Sequence, residues 1–356
     1  MKNVERSVLV TGGAGFIGSH LVEKLIFSGY SVINLDLLTY AGNIDNLVSV
    51  SGNDKFKMVR GDIGDYSLML NLLVEHQPKT IFNLAAESHV DRSIDDGAAF
   101  IHTNITAVYT LLNATLTYWR HLSEVEKGSF RFIHMSTDET FGSIAEGQFT
   151  EDSAYAPNSP YAASKAAGDH LTRAFRITYG LPTLIARASN TYGARQFPEK
   201  LIPHTIISAL SSLPLPVYGE GKNVRDWLYV ADLVRGLIKV VEEGKKGESY
   251  NFSGGQTSTN IDTVKFICAR LDDRVPRGSK YEDSISFVED RPGHDLRYAM
   301  SSEKVDRLFG WKPEVSFHEG LNLTVDWYLE NRTWWETILE RGYTAGRVGL
   351  GAGLAK

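Results

Sequence analysis

Short apolar runs alternate with helix-length periodic segments through the first half of the chain. Ser7 to Val10, Ser31 to Leu35, Met58 to Arg60 and Thr80 to Leu84 read as strands, while Ile17 to Ser28 and Ser67 to Glu75 carry apolar positions at helical spacing. Val8-Leu9-Val10 and Val32-Ile33-Asn34-Leu35 lack the polar alternation of a half-exposed sheet, so they suit strands covered on both faces. That rhythm predicts βαβ units in an α/β fold built on a doubly wound parallel sheet. Arg131 to Met135 and Pro182 to Ala186 read as later strands of the same sheet. Asn104 to Trp119 and Tyr161 to Thr178 read as helices with apolar stripes that can cover it.

Beyond about Gly193 the pattern breaks into pieces punctuated by Pro198, Pro203, Pro214 and Pro216. A helical stretch at Asp232 to Val241 and short strands near Ser249 to Ser253 and Ser284 to Val288 follow. This predicts a smaller C-terminal α+β lobe over residues 194–335 that takes the substrate, on a first domain of residues 1–193 with return segments from about 225–255. Trp334-Trp335 reads as a packed anchor for the last helix, and Gly342 to Lys356, rich in Gly and Ala, as a flexible tail.

Glycines at 12, 15 and 18 fall between the first predicted strand and the helix after it. Gly12 permits a tight turn, Gly15 lets the backbone approach a pyrophosphate, and Gly18 lets helix and strand pack closely, with the helix N-terminus offering free N–H groups to the anion. Asp36 ends the second predicted strand, where its carboxylate can accept from an adenosine ribose hydroxyl and would repel a 2′-phosphate. The combination points to a Rossmann sheet holding NAD rather than NADP. Gly61-Asp62-Ile63 and Asn83-Leu84-Ala85-Ala86 sit where adenine and the rest of the cofactor would pass.

Composition narrows the ligand class. Lys and Arg number 37 against 43 Asp and Glu, a net charge of −6, so the chain lacks the basic surplus expected for nucleic acid or anionic membranes. An anionic ligand then requires a local basic pocket. Cys268 is the only cysteine, which excludes an intrachain disulfide and fits a reducing compartment such as the cytoplasm. The ten histidines show no metal-ligand spacing, so no metal is expected. Neither a signal peptide nor a run long enough to span a membrane is visible.

Tyr161 and Lys165 lie four apart, hence on one helix face. An ammonium and an NAD⁺ ring near a phenol favour phenolate, so the Tyr can take a proton from a sugar hydroxyl. Ser136-Thr137-Asp138-Glu139 follows a strand at the carboxyl end, where open α/β sheets place their ligands. Adjacent acids there can divide acid and base roles if one is held protonated.

Thr11-Gly12-Gly13-Ala14-Gly15-Phe16-Ile17-Gly18, Ser136-Thr137-Asp138-Glu139 and Tyr161 with Lys165 together resemble the extended short-chain dehydrogenase/reductase family, and within it the dTDP-glucose 4,6-dehydratase branch. Ala85-Ala86-Glu87-Ser88-His89-Val90-Asp91-Arg92-Ser93, Arg225-Asp226-Trp227 and Asp290-Arg291-Pro292-Gly293-His294 extend the likeness over about residues 7–335. The resemblance implies a redox-neutral elimination with NAD kept bound. Tyr161 would deprotonate the glucose C4 hydroxyl as hydride leaves C4, with Thr137 on the C4 oxygen and Lys165 holding the nicotinamide ribose. Glu139 would take the C5 proton and Asp138 protonate the departing C6 hydroxyl, after which hydride returns to C6. It also implies cofactor contacts by Phe16, Ile17, Leu37, Thr39 and Thr103, and substrate contacts by Ser88, Asn190, Lys200, Leu201, Pro216, Tyr218, Arg225, Asn260, Arg291 and His294. A homodimer through the helices at Asn104 to Trp119 and Tyr161 to Thr178 is a further implication. Leu37 stands where the family often has Lys, Thr191 where a second Asn follows Asn190, and Phe141 where a Tyr follows the acid pair. A 4-epimerase of the same family, or an NAD-binding protein without turnover, are the other readings.

Overall fold

The structure is a computed structural model that describes residues 6–341; the tail expected from Gly342 onward lies outside them. Strands β1 (Ser7–Thr11), β2 (Ser31–Asp36), β3 (Phe56–Arg60), β4 (Thr80–Asn83), β5 (Arg131–Thr137) and β6 (Thr183–Ala188) belong to one seven-stranded sheet. β7 (Asn190–Tyr192), β8 (Leu215–Tyr218) and β9 (Val224–Tyr229) do not, whereas β10 (Ser249–Phe252) returns to its edge. The order is β10-β6-β5-β4-β1-β2-β3, with every pairing parallel. The chain winds outward from β1 to β3 and then crosses back to β4, so the strand order reverses between β1 and β4. Thr11 lies level with Leu35 on one side and Asn83 on the other, which opens a crevice at the carboxyl ends, where such sheets bind ligands.

One face of the sheet is covered by the helices Phe16–Phe27 and Val230–Glu243, with Leu25, Leu237, Phe252 and Trp311 in a common core. Gly236 brings the second of these helices close, since a Cβ there would stand 2.7 Å from Phe252 Cδ1. The other face is covered by Tyr66–His76, Val108–Arg120 and Pro160–Tyr179, which bury Leu72, Leu111, Phe132 and Phe175.

The remaining segments form a third core. β9 runs between β7 and β11 (Thr257–Thr259), and β8 pairs in parallel with β12 (Ile285–Val288). The helices Leu201–Leu210, Asn260–Arg274 and Phe317–Glu330 close over Ile206, Trp227, Ile267 and Leu321.

Two departures from the sequence pattern have physical reasons. The helix expected from Asn104 starts at Ala98 and runs to Arg120 through a π-helical turn at His102–Ala107. The wider turn lets the buried Asn104 donate to Glu87 O (2.9 Å) and Ser164 Oγ (2.9 Å) and accept from Glu87 N. The proline-punctuated stretch is regular after all: Pro203 sits in the first turn of Leu201–Leu210, where a missing N–H costs nothing, and Pro216 in a two-stranded ribbon. Among the described residues no helix is long and apolar enough to cross a membrane.

Candidate active site

β1 ends at Thr11 and the next residue turns left-handed, with Gly12 at φ 71°. A Cβ at Gly12 would stand 2.7 Å from Ala85 N, and one at Gly18 2.6 Å from Gly13 Cα, so side chains at these positions would break the turn. The helix Phe16–Phe27 begins at Gly15 with no side-chain cap, leaving its first N–H groups for an anion. Asp36 is buried and takes Ala14 N at 2.9 Å and Leu38 N at 2.8 Å. These bonds fix the carboxyl facing the crevice; burial pushes its pKa above the usual range and the two amides pull it back. Gly12, Gly15, Phe16, Ile17, Gly18, Asp36, Leu37, Thr39, Asp62, Ile63, Leu84, Ala85, Ala86, Thr103, Tyr161 and Lys165 all line the same cleft. An uncapped helix start, a turn with no room for Cβ atoms and a fixed carboxylate fit a dinucleotide.

At the inner end of the cleft β5 delivers Thr137, and the chain turns at once into a short 3₁₀ segment, Asp138–Phe141, capped by the Thr137 hydroxyl, which accepts from Glu139 N. Asp138 is 1% exposed; one carboxyl oxygen accepts from Thr137 Oγ1 (3.2 Å) and the other has no partner. Burial, with Glu139 and Asp226 adding negative charge, pushes Asp138 well above the carboxylate range. Glu139 is also raised by burial, but Arg291, Lys200 and Arg225 act against the shift. Neighbouring carboxyls are thus driven apart, Asp138 toward a buried acid and Glu139 toward an ionisable base.

Tyr161 and Lys165 reach the same place from the helix Pro160–Tyr179, started by Ser159 as N-cap with Pro160 behind it. Lys165 donates to Met135 O at 2.7 Å, and burial lowers its pKa to about 8. Burial and the Glu139 charge push the Tyr161 phenol up, opposed by a hydrogen bond to Thr137.

A second pocket opens beside the first and shares Glu139, Asn190, Glu199 and Lys200 with it. Leu201, Pro216, Tyr218, Arg225, Asn260, Arg291 and His294 line it, while Ser88 and Thr137 lie in the first cleft. Arg225 is buried and held by the carbonyls of Val224 (2.8 Å) and Asp295 (3.0 Å), with its guanidinium 4.4 Å from the Tyr298 ring centre. Lys200 donates to Ser88 O at 2.6 Å. His294 pairs with Asp290 (2.6 Å), and burial lowers its pKa to about 4.

Three wall residues were not singled out from sequence. Asp91 takes Arg291 Nη1 at 2.9 Å and the Tyr218 hydroxyl at 2.6 Å, tying the crevice helix Val90–Asp95 to two segments far along the chain. Glu199, whose pKa burial raises to about 7, faces His89 at 3.6 Å and accepts from Tyr40 (3.1 Å). His89 and Asp91 lie within a motif already noted, yet their partners are visible only in three dimensions. Among the described residues no cluster of His, Cys, Asp or Glu could hold a metal ion.

The family described as GDP-mannose 4,6 dehydratase matches residues 9–324. The chain is 52% identical over 344 residues, 96% of its length and 98% of the other, to a dTDP-glucose 4,6-dehydratase of Xanthomonas campestris pv. campestris. It is 49% identical over 347 residues, covering 94% and 96%, to dTDP-glucose 4,6-dehydratase 1 of Escherichia coli. Among solved structures it is similar to the dTDP-glucose 4,6-dehydratase DesIV of Streptomyces venezuelae with NAD bound, at TM-score 0.86, 44% identity and 93% and 99% coverage. The UDP-glucose 4-epimerase of Thermotoga maritima superposes at TM-score 0.80 with 30% identity and 92% and 99% coverage.

Proposed function

Because the chain belongs to the GDP-mannose 4,6-dehydratase family, we infer that it is an NAD-dependent hydro-lyase that converts dTDP-glucose to dTDP-4-keto-6-deoxyglucose and water. The observation that carries the reaction is the pair Asp138 and Glu139, adjacent in sequence, both raised by burial but with two carboxylates acting on Asp138 and three cations on Glu139, and in one cleft with Tyr161 and Lys165. An epimerase that only oxidises and re-reduces C4 has no use for an acid and a base at C6 and C5. The glycine turn and Asp36 would hold NAD, which supplies the uptake and return of one hydride. Tyr161 takes the C4 hydroxyl proton, Thr137 steadies the C4 oxygen, and Lys165 orients the nicotinamide ribose. Oxidation at C4 acidifies the C5 proton, which Glu139 removes. Asp138 gives its proton to the C6 hydroxyl as it departs as water; the hydride would return to C6 and Glu139 would give a proton back to C5, which completes the keto-deoxy sugar. Arg225, Arg291 and Lys200 supply positive charge for the diphosphate of the substrate, which an acidic chain must concentrate locally. Ser88, Asn190, Leu201, Pro216, Tyr218, Asn260 and His294 complete the substrate walls.

Residues 1–193 with the returning segments form the cofactor-binding unit in this reading, and 194–335 the sugar-nucleotide lobe. A homodimer is part of the same proposal: Ile101 (50% exposed), Tyr109 (49%) and Ile177 (71%) leave an apolar face on the two helices that would pair.

The deciding experiment is NMR of the purified protein with equimolar dTDP-glucose and UDP-glucose and no added NAD. A 4-keto-6-deoxy product from the dTDP sugar alone is expected; a galactose product would move the chain to the epimerases. Asp91→Asn tests the substrate wall. Loss of the charged anchor of Arg291 should raise KM for dTDP-glucose about 10- to 100-fold, the range for a charged hydrogen bond. Turnover at saturation should change much less, and steady-state kinetics separate the two.

A further inference from the structure

The last described helix, Arg332–Glu340, lies far along the chain from the glycine turn, yet one chain of hydrogen bonds joins them. The Trp334 indole N–H donates to Asn46 Oδ1 at 2.9 Å, and the Asn46 amide donates to Ala14 O at 2.9 Å. Ala14 is the middle of the turn, and its own N–H is the one held by Asp36. Asn43 N adds a second bond to Ala14 O (3.0 Å), so the Ala14 peptide is gripped on both sides. Asn46 is buried (4% exposed), its backbone carbonyl takes Arg195 Nη1 at 3.2 Å, and Arg341 approaches Asp45 at 4.0 Å. Arg195 holds this position at φ 63°, a left-handed conformation unfavourable for a residue with a Cβ. The indole itself packs edge-on to Trp327, with ring centres 5.1 Å apart.

We propose that Trp334 and Asn46 form a latch from the C-terminal helix onto the dinucleotide turn, and that this latch slows release of the bound cofactor. The inference rests on NAD occupying the cleft lined by Gly12, Gly15 and Asp36. A redox-neutral elimination uses the same NAD in every cycle, so a slow release is what the reaction requires, and neither the turn nor Asp36 needs to change to achieve it. Asn46 can satisfy Ala14 O only while its own amide is held in one orientation, and the indole N–H is what fixes which end of that amide faces the turn. Trp334 is thus a positioning residue, acting on NAD through Asn46 and Ala14.

The test uses the holoenzyme and follows exchange of bound NAD for isotope-labelled NAD. Trp334→Phe keeps an aromatic ring beside Trp327 but removes the N–H donor together with part of the indole, a loss of volume that Trp335→Phe shares. Trp335→Phe is the control, because its N–H goes to Tyr328 O (3.0 Å) within the same helical pair and has no link to Asn46. Exchange should be about five- to tenfold faster in Trp334→Phe, the effect of one buried hydrogen bond, and within twofold of wild type in Trp335→Phe. The apparent Kd for NAD should rise with the exchange rate while kcat at excess NAD does not fall. Exchange within twofold of wild type in Trp334→Phe overturns the latch, and so does equal acceleration in both variants, which would mean general loosening of the helix. Should the wild-type protein release no NAD on denaturation, the cofactor reading itself fails and takes the latch with it.

Discussion

Glu139→Gln is expected to lower formation of the keto-deoxy product by about 10²- to 10⁴-fold, the contribution of a positioned general base, while C4 oxidation continues. Gln keeps the shape of Glu, but it cannot accept a proton. Mixing the variant with dTDP-glucose should therefore produce a burst of reduced nicotinamide absorbance that does not decay. Incorporation of solvent deuterium at C5 should vanish with the elimination. The acid limb of the wild-type pH profile should belong to the same group. Burial raises Glu139, so its ionised form is lost as pH falls through that raised value, and activity falls with it. Asp138 works the opposite way: it must keep its proton, and its strongly raised pKa preserves the acid form over the range where Glu139 is ionised. A Glu139→Gln enzyme that makes product at near wild-type rate would remove Glu139 from the base role.

Much of this site could be read in the sequence because its groups are local. The glycine spacing, Asp36 at a strand end, the Asp138–Glu139 pair and the Tyr161–Lys165 spacing each declare themselves within a few residues, and parallel strands in continuous apolar runs place their carboxyl ends on one side. What depended on distant pairing was not legible. Asp91 acquires its meaning from Tyr218 and Arg291, 127 and 200 residues away. The π-helical turn at His102–Ala107 has no periodicity of its own, since one extra residue in a turn shifts the stripe without breaking it. Pro203 and Pro216 made regular elements look like loops, because a proline reads as a breaker unless its position in the first turn or on a ribbon is known. The environment of Tyr161 was only half legible: spacing places Lys165 on the same helix face and both line one cleft, but the Lys165 bond to Met135 O and the burial of the phenol beside Glu139 come from distant packing.

That environment sets the second large effect. Tyr161→Phe should abolish both signals at once, lowering C4 oxidation by about 10²- to 10⁴-fold with neither burst nor product. The fold should survive, because the ring packs edge-on to Phe100 with centres 6.3 Å apart and the hydroxyl contributes nothing to that contact. Substrate affinity should hold too, since Arg225 and Arg291 lie in the adjoining pocket. A phenol pushed upward by burial and by a neighbouring carboxylate is a poor base until enough positive charge stands beside it, and oxidised nicotinamide would add its charge to that of Lys165 in the cleft. Binding of the oxidised cofactor should therefore shift Tyr161 downward, and the reduced form should not. The phenolate absorbance against pH with each form bound, taken as wild type minus Tyr161→Phe to remove the other tyrosines among the chain's 16, measures that difference. Equal titration in the two complexes would leave activation of Tyr161 to Lys165 rather than to the nicotinamide, and an intact burst in Tyr161→Phe would pass the base role at C4 to another group. Together with Glu139→Gln the variant orders the steps, since loss of the first proton transfer silences every later signal, whereas loss of the second leaves the first visible.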